Sequence, residues 1–441
     1  MTDPAEAPVD GVARPIPAGG LLRAGIVTYV FSGVTLVANL VTGVVMARAL
    51  GPDGRGVGFA LVTVSQLAGF ALSMGVAQSL SYFIARRPQD GPTLLTTWLV
   101  MLVPLTALAI GLTEALLPVI FTADDGQAIP IGRWFMFTIV LVVGLELNYG
   151  LLLGVHEYVL YNALRLAQPA LTAAGFVVLW ALDAMTVQSA LIVASAATGV
   201  VLVIGLVRSV SRIGLGPLDL GLGRSTLWYG MRGQGATVAT HVTARLDVAM
   251  LPAFVSAASV GLYSVATSVS LIVYQLSNTF AGLVIPAAAR DPERGPAKVI
   301  ASFWASLAIA TAGALALALL ARPLLGLVYG DDFRAASTSL LLLLPGGVLF
   351  AASSILNAGI YAAGHPFTAT TTQIIGMLVT VVGLIIFLSG GGVTAAAIVS
   401  SASYATIFLS SLVAYRHVTG LPWGALVPTP ARVRALAREA G

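Results

Sequence analysis

The chain has 441 residues, of which 58% are apolar and only 9% are charged, with a formal net charge of +4. Soluble domains carry about 25% charged residues, so this composition excludes a soluble protein, a disordered chain, collagen and a coiled coil. The sequence has no cysteine, which excludes disulfides and cysteine-ligated zinc or iron–sulfur clusters. The composition therefore predicts an all-α polytopic membrane protein, for which we expect no cofactor and no metal site.

Apolar runs of about 20 residues, bounded by turn residues or charges, predict membrane-spanning helices. Twelve such runs occur, at 24–47, 57–84, 94–121, 134–155, 160–182, 186–207, 227–254, 260–286, 299–321, 335–363, 367–388 and 393–415. The preceding stretch, 1–22, is interpreted as a disordered cytoplasmic tail, because it lacks the short apolar core of a cleaved signal peptide.

The basic residues indicate how these helices are oriented. If the N-terminus is cytoplasmic, fourteen of the 22 Lys and Arg residues fall in cytoplasmic segments, and five, including Arg48 and Arg55, fall in outer loops. Such a bias is typical of the cytoplasmic side of a membrane protein. Both termini are therefore predicted in the cytoplasm. The segment 416–441 is predicted to be a basic tail that lies against anionic headgroups.

Three pairs of loop motifs indicate an internal repeat. The segment 85–92 resembles 289–296, and 119–125 resembles 327–332. A third pair, at a spacing of 209, relates Asn148, Gly150 and His156 to Asn357, Gly359 and His365. The pairs occur in the same order with a slowly growing offset, which favours a duplicated unit. A chance likeness between loops rich in Pro and Gly is the alternative.

The repeat predicts two six-helix lobes, 23–207 and 227–415, related by a pseudo-twofold axis along the membrane normal. Between them lies the cytoplasmic connection 208–226, which is rich in Gly and Arg and is predicted to act as a hinge. Two lobes that face each other across such an axis would enclose a central cavity.

Polar and ionisable groups inside a bilayer are costly and often mark function. The seventh predicted span carries one polar stripe at helical spacing, formed by Gln234, Thr237, His241 and Arg245. Such a stripe facing an aqueous cavity would attract an anionic substrate, and the planar guanidinium group suits phosphate. Asp247 is placed on nearly the opposite face of the helix. Alternatively, Arg245 extends to the headgroups and Asp247 pairs with another helix.

Other candidate substrate-binding residues are scattered over the chain. Arg165 and Arg232 are predicted at cytoplasmic helix ends. Asn39 belongs to a neutral polar stripe in the first span, a pattern that also occurs where helices pack closely. Glu146 lies in the middle of the fourth span and, like Asp247, is a candidate proton or cation site. An ion pair between Glu146 and Arg165 or Arg232 is the alternative.

Four motifs occur in chain order: the segment 47–58, Arg245-Leu246-Asp247 followed by 260–266, Tyr329-Gly330-Asp331-Asp332-Phe333 followed by 344–346, and Ala363-Gly364-His365-Pro366. Together they resemble the bacterial polysaccharide flippases of the multidrug/oligosaccharidyl-lipid/polysaccharide exporter superfamily. This resemblance implies a protein of the bacterial cytoplasmic membrane that flips polyprenyl-pyrophosphate-linked oligosaccharides to the outer leaflet. It also implies alternating access and a cationic cavity between the lobes, with Arg245 and Asp247 at the family's Arg-x-Asp motif.

Two other functions stay open: an ion-coupled multidrug antiporter of the same superfamily, and a non-transporting scaffold of a polysaccharide assembly complex. The first span has no acid, whereas drug exporters of this superfamily often carry one there, and this favours the flippase. No Walker A or HExxH motif and no large loop occurs, so an enzyme is not expected. The expected partners are a lipid-linked oligosaccharide, membrane lipids, a polysaccharide polymerase and glycosyltransferases, and no nucleic acid.

Overall fold

The computed structural model describes residues 18–121, 126, 128–289 and 295–426, and within them no β-strand occurs. The helices are α1 (Ala18–Leu72), α2 (Val76–Arg86), α3 (Gly91–Ile120), α4 (Ala128–Phe135), α5 (Ile139–Gly154), α6 (Tyr158–Ala181), α7 (Val187–Ile213), α8 (Leu220–Met250), α9 (Ala257–Ala289), α10 (Gly295–Tyr329), α11 (Ala336–Ala362), α12 (Pro366–Thr419) and α13 (Trp423–Leu426). Short 3₁₀ turns lie at Pro88–Asp90, Met136–Thr138, Leu251–Ala253 and Asp331–Ala335.

Nine helical segments in the described part of the chain are long and apolar enough to cross a membrane. Two of them, Gly33–Leu72 and Pro366–Thr419, each contain a kink. Helix α8 has 31 residues, a spanning length, but is too polar to count among the nine. The predicted all-α polytopic membrane fold is confirmed, whereas the number of twelve spans stays a prediction.

The outside of the helix bundle is covered by large apolar side chains. Val159, Leu319 and Leu327 are 84%, 83% and 76% exposed. Water would not solvate so continuous an apolar surface, but lipid chains do, and helices satisfy their own backbone groups there. The chain is therefore a multi-pass membrane protein.

A glycine with positive φ bends each of the two longest helices, α1 at Gly51 (φ 65°) and α12 at Gly392 (φ 50°). Residues with a β-carbon disfavour this backbone region. The predicted spans leave an outer loop at 48–56, but the helix resumes directly after Gly51, and Pro52 fits a first helical turn. The sulfur of Met46 lies 3.5 Å from the Arg55 guanidinium, so the two arms of α1 pack side by side.

A second break divides the second predicted span, 57–84, into the end of α1 and the separate helix α2. Two consecutive residues, Met74 (φ 47°) and Gly75 (φ 70°), have left-handed backbone conformations there. The α2 helix then starts with Val76, whose N–H donates to the carbonyl of Ser73. The sequence gives no strong sign of this break, because Gly75 is one of three glycines in 57–84 and no proline or charged residue accompanies it.

The turns after α5 and α11 repeat the same backbone pattern. In each, three consecutive N–H groups, from 155–157 and from 363–365, donate to the last carbonyl groups of the helix in the same order. Equivalent residues of the two turns are 208 positions apart. His156 therefore corresponds to Gly364 and not, as predicted, to His365. His156 and Gly364 both have positive φ, 61° and 83°.

A buried hydrogen bond between asparagine and serine also occurs once in each half. Asn148 on α5 accepts from the hydroxyl of Ser209 on α7 (3.1 Å), and Asn357 on α11 donates to that of Ser411 on α12 (3.0 Å). Buried amide groups need such partners. Corresponding helices of the two halves are thus each held by an asparagine–serine bond, although the asparagine accepts in the first half and donates in the second. The internal repeat stays a prediction.

The connection between the halves is shorter than the predicted linker, 208–226. Helix α7 continues to Ile213 and α8 begins at Leu220, so only 214–219 is non-helical. The N–H of Gly216 donates to the carbonyl of Pro92 (3.1 Å), and the Asp219 carboxylate caps α8. The connection is therefore anchored to the start of α3, and is not the long free hinge that its Gly and Arg content predicts.

The predicted terminal tails lie largely outside the described residues. Helix α1 already begins at Ala18, inside the predicted 1–22 tail, and residues 1–17 are outside the described part. At the other end, α12 extends to Thr419 and 427–441 is outside it. Residues 122–125 and 290–294 of the repeated loop motifs are outside it as well.

Candidate functional site

A cavity of about 360 Å³ lies in the centre of the protein, between helices of both halves, mainly α1, α6, α8 and α9. Its polar lining includes Asn39, Thr42, Arg55, Gln66, Gln168 and Arg245. None of the described residues that line it is an aspartate or a glutamate. A cavity with two guanidinium groups and no acid concentrates anions.

Arg55 is the buried cation of this cavity, although the sequence places it in an outer loop. It lies one turn after the Gly51 kink, where the resumed helix turns its side chain inward, and only 4% of the residue is exposed. Its Nε donates to the hydroxyl of Ser264 on α9 (3.2 Å), and its guanidinium lies 4.6 Å from the centre of the Phe59 ring. A single Arg within a Gly-Pro-Asp-Gly-Arg-Gly run was the only sequence signal for this site.

Arg245 enters the same cavity from α8, as the polar stripe predicts. Its guanidinium lies 5.3 Å from the centre of the same Phe59 ring. The aromatic face attracts both cations and holds them near each other despite their repulsion. The first half of the chain thus contributes one guanidinium group and the second half the other.

Asp247 does not line the cavity, although it lies near enough to Arg245 for their charges to interact. It is 1% exposed and accepts hydrogen bonds from the hydroxyls of Tyr263 on α9 and Ser400 on α12, and from the N–H of Val248. Buried carboxylates need such a set of donors. Its position fits the alternative that Asp247 pairs with other helices of its own lobe.

Gln234 and His241 hold α8 against the second arm of α1. The Gln234 side chain donates to the hydroxyl of Ser73 (2.9 Å) and to the carbonyl of Phe70. The His241 ring stacks on the Phe70 ring with centres 4.2 Å apart. Gln234 therefore bridges the two halves and lines no described cavity, while His241 also lines a second cavity.

The remaining candidates do not reach the central cavity, except Asn39. Arg232 and Arg165 are both exposed, and the guanidinium of Arg165 donates to the hydroxyl of Tyr161 (3.1 Å). Glu146 is half-buried and lies near enough to Arg165 for their charges to interact. The prediction that both arginines lie at helix ends is wrong, because α8 already begins at Leu220, which puts Arg232 in the middle of that helix, and Arg165 lies inside α6. Their long side chains extend away from apolar surroundings.

The two halves touch at both ends of the second arm of α1. At the end that contains Gly51, here called the kink end, Gly56 packs directly on the carbonyl of Ala257, and Gly261 on that of Pro52. Arg48 reinforces this contact by donating to the carbonyl groups of Val328 (2.9 Å) and Leu327. Only residues without a β-carbon allow two helix backbones to come so close.

At the opposite end, here called the linker end because it contains 214–219, Gly75 packs against the backbone of Gly230. The Tyr82 and Tyr229 rings stack beside this contact, with centres 4.6 Å apart. The two halves of the chain are therefore joined by two close glycine contacts, one at the kink end and one at the linker end.

A small ion cluster at the linker end was not foreseen from the sequence. Glu157, in the turn between α5 and α6, accepts from Arg208 (2.9 Å) and Arg212 (3.1 Å) on α7. The hydrogen bond from Arg212, followed by that from Arg208, lowers the pKa of the Glu157 carboxyl below its ordinary value. No group of three or more His, Asp or Glu side chains suited to a metal ion occurs in the described residues.

The fold defines a class, the multi-pass all-α membrane proteins, and here a cavity lies between helices of the two halves. Among solved structures, the chain is similar to the lipid II flippase MurJ in an inward closed conformation (TM-score 0.75, 13% identity, covering 94% of this chain and 91% of that one). It is also similar to an inward-facing multidrug resistance MATE family transporter of the MOP superfamily (TM-score 0.69, 14% identity, 95% and 100% covered). A MOP superfamily transporter from Pyrococcus furiosus matches with a TM-score of 0.59 at 15% identity, covering 96% and 97%. At these identities the likeness establishes the fold.

The chain belongs to the polysaccharide biosynthesis protein family, whose sequence profile matches residues 21–291. No match was found among curated protein sequences. The resemblance that the sequence motifs indicate is thereby confirmed at the level of the family.

Proposed function

We propose that this protein flips polyprenyl-pyrophosphate-linked oligosaccharides across the bacterial cytoplasmic membrane by alternating access. The observation that carries this proposal is the pairing of Arg55 and Arg245 in a cavity whose described lining has no acid. A pyrophosphate group carries several negative charges, and two guanidinium forks offer it bidentate hydrogen bonds. Membership of the polysaccharide biosynthesis family supports a glycan as the cargo.

In this mechanism, the glycine contacts at the kink end and the linker end would open in turn. Opening the Gly75–Gly230 contact would admit the head group from the linker end, and opening the Gly56–Ala257 contact would release it at the kink end. We assign the linker end to the cytoplasm, because it carries Arg86, Arg208 and Arg212, in agreement with the excess of basic residues on that side. Both chain termini then lie in the cytoplasm.

An ion-coupled multidrug antiporter is the second candidate, because a MATE transporter shares the fold. The charge of the cavity argues against cationic drugs, since Arg55 and Arg245 would repel them. A non-transporting scaffold would not need two cations in a cavity between the halves. A carboxylate proton site remains part of the proposal only at Glu146, because Asp247 is enclosed by hydrogen-bond donors.

The test uses purified protein in proteoliposomes with a fluorescent farnesyl-pyrophosphate-linked N-acetylglucosamine as the probe. We expect Arg55→Gln and Arg245→Gln each to weaken probe binding about 10- to 100-fold, the loss expected for a hydrogen bond to a charged group. The matched control is Arg224→Gln, on the same helix as Arg245 but exposed. Unchanged binding and transport in both cavity variants would refute the flippase, and transport of ethidium without transport of the probe would favour the antiporter.

A further inference from the structure

A second cavity of about 430 Å³ lies within the second half of the chain, between α8, α9, α11 and α12. Its volume is in the range of small-molecule binding pockets, roughly 300–1,000 Å³. It is lined by Thr237, His241, Asn278, Ser354, Tyr361 and Gln373, among others. No Asp, Glu, Lys or Arg is among the described lining residues. The two cavities therefore differ in chemistry, since the central one is cationic and this one is neutral.

The polar groups of the second cavity are available to a ligand. The side chains of Thr237, Asn278 and Tyr361 line it and make no hydrogen bond within the described part of the chain. Asn278 and Tyr361 are also exposed. A hydroxyl, an amide and a phenol together offer donors and acceptors in several directions, which matches a ligand rich in hydroxyl groups.

Aromatic rings form one wall of this cavity. The ring of Tyr274 stacks on that of Phe350 with centres 4.1 Å apart, and Phe350 stacks on Tyr404 at 4.5 Å. Tyr274 and Phe350 both line the cavity. The combination of aromatic surface with neutral hydrogen-bonding groups suits a pyranose ring, which presents C–H faces and hydroxyl edges.

The second cavity adjoins the cationic one along two shared helices. On α8, His241 lines the second cavity and Arg245, four residues later, lines the first, a rise of about 6 Å along the helix. On α9, Gln275 lines the first cavity and Asn278 the second. A ligand whose charged group rests at Arg245 could thus extend by one helical turn into the neutral cavity.

We propose that the second cavity is a subsite for neutral sugar residues of the glycan. The proposal rests on the proposed function, in which Arg55 and Arg245 hold the pyrophosphate. The subsite has no fixed cation for an acidic sugar and no carboxylate for an amino sugar, so uncharged pyranoses are the class that it accepts. Asn278 and Tyr361 determine affinity for the sugar and do not contribute to binding of the pyrophosphate.

The test compares two kinds of probe on the full-length protein in nanodiscs: farnesyl pyrophosphate, and farnesyl pyrophosphate linked to glucose, galactose or N-acetylglucosamine. We expect at least one glycosylated probe to bind more tightly than farnesyl pyrophosphate. Asn278→Ala and Tyr361→Phe should each raise the Kd of that probe about 2- to 10-fold, the loss expected for one neutral hydrogen bond. The Kd of farnesyl pyrophosphate should not change.

The control variants distinguish failure of this proposal from failure of the proposed function. Arg245→Gln should weaken both kinds of probe, and Asn162→Ala, at an exposed asparagine on α6, should weaken neither. Tight binding of farnesyl pyrophosphate with no gain from any of the three sugars overturns the sugar subsite alone. An equal loss of affinity for farnesyl pyrophosphate and for its glycosylated form in Asn278→Ala and Tyr361→Phe would also overturn the sugar subsite alone. Absence of binding by every probe overturns the proposed function.

Discussion

The backbone contact at Gly230 offers a direct test of the alternating access that we propose, in which the linker end opens. A β-carbon at position 230 would lie 2.5 Å from the carbonyl oxygen of Met74 and 2.8 Å from that of Gly75, whereas ordinary contacts are 3.4–4 Å. Gly230→Ala therefore requires the helices to separate by on the order of 1 Å. Overpacking of this kind costs about 1–3 kcal/mol, so the ratio of open to closed molecules should rise roughly 5- to 150-fold.

The assay is a distance measurement between two spin labels, made specific by the lack of native cysteine. We place the labels at Gln89→Cys and Ala363→Cys, exposed positions at the linker end of either half. Gly230→Ala should move the distance distribution towards longer values. Gly233→Ala is the matched control, because a β-carbon there meets nothing within 4 Å. Identical distributions for the two variants, both with normal melting temperatures, would refute the role of this contact.

Two further predictions concern stability. Asp247→Ala should lower the free energy of unfolding by about 3–5 kcal/mol, measured as a lower melting temperature in detergent, because the buried hydroxyls of Tyr263 and Ser400 lose their acceptor. Glu157→Gln should lower the melting temperature at neutral pH, because hydrogen bonds from Arg212 and Arg208 favour the ionised carboxyl and depress its pKa. That stabilisation is complete above the ordinary carboxyl pKa, about 4.3, and is lost as the pH falls through the lower pKa of the folded state.

Each stability prediction has its own contradicting result. If Asp247→Ala keeps its melting temperature but loses probe affinity, Asp247 contacts the ligand and our assignment is wrong. For Glu157, the melting temperatures of the wild type and of Glu157→Gln should converge well below about pH 4. If their difference persists unchanged there, the charge of the Glu157 carboxylate is not its cause.

The fold class could be predicted from the sequence because spanning helices need about 20 apolar residues, and this requirement is visible in composition alone. The kinks and breaks could not be predicted to the same degree. A Gly-Pro-Asp-Gly segment is typical of a loop, yet at Gly51 a single positive φ is enough to reverse the chain within one helix. A kinked helix forms at Gly51 in place of a loop because the two arms of α1 pack against each other, and local sequence does not encode this packing.

The candidate site was predicted in part. Helical spacing identified Arg245, because one helix carries the whole stripe. The second cation, Arg55, comes from a different helix far away in the chain, and its burial depends on the kink at Gly51. Spacing also put Asp247 on the opposite face of α8, but only the packed structure shows that hydroxyls of α9 and α12 surround it.

The Phe59 ring, which both Arg55 and Arg245 contact, couples release of the proposed substrate to the relative motion of the two halves. One cation moves with each half, and Arg55 also bonds to Ser264 across the divide. In the alternating access that we propose, opening of the kink end would separate the two cations, and a doubly charged group would keep close contact with only one of them. Because the Coulomb attraction between a guanidinium group and the substrate falls with distance, the motion that opens the kink end would also weaken substrate binding. The pyrophosphate would therefore be bound tightly only while both guanidinium groups are close together. Its release would follow from their separation and would need no competing ion.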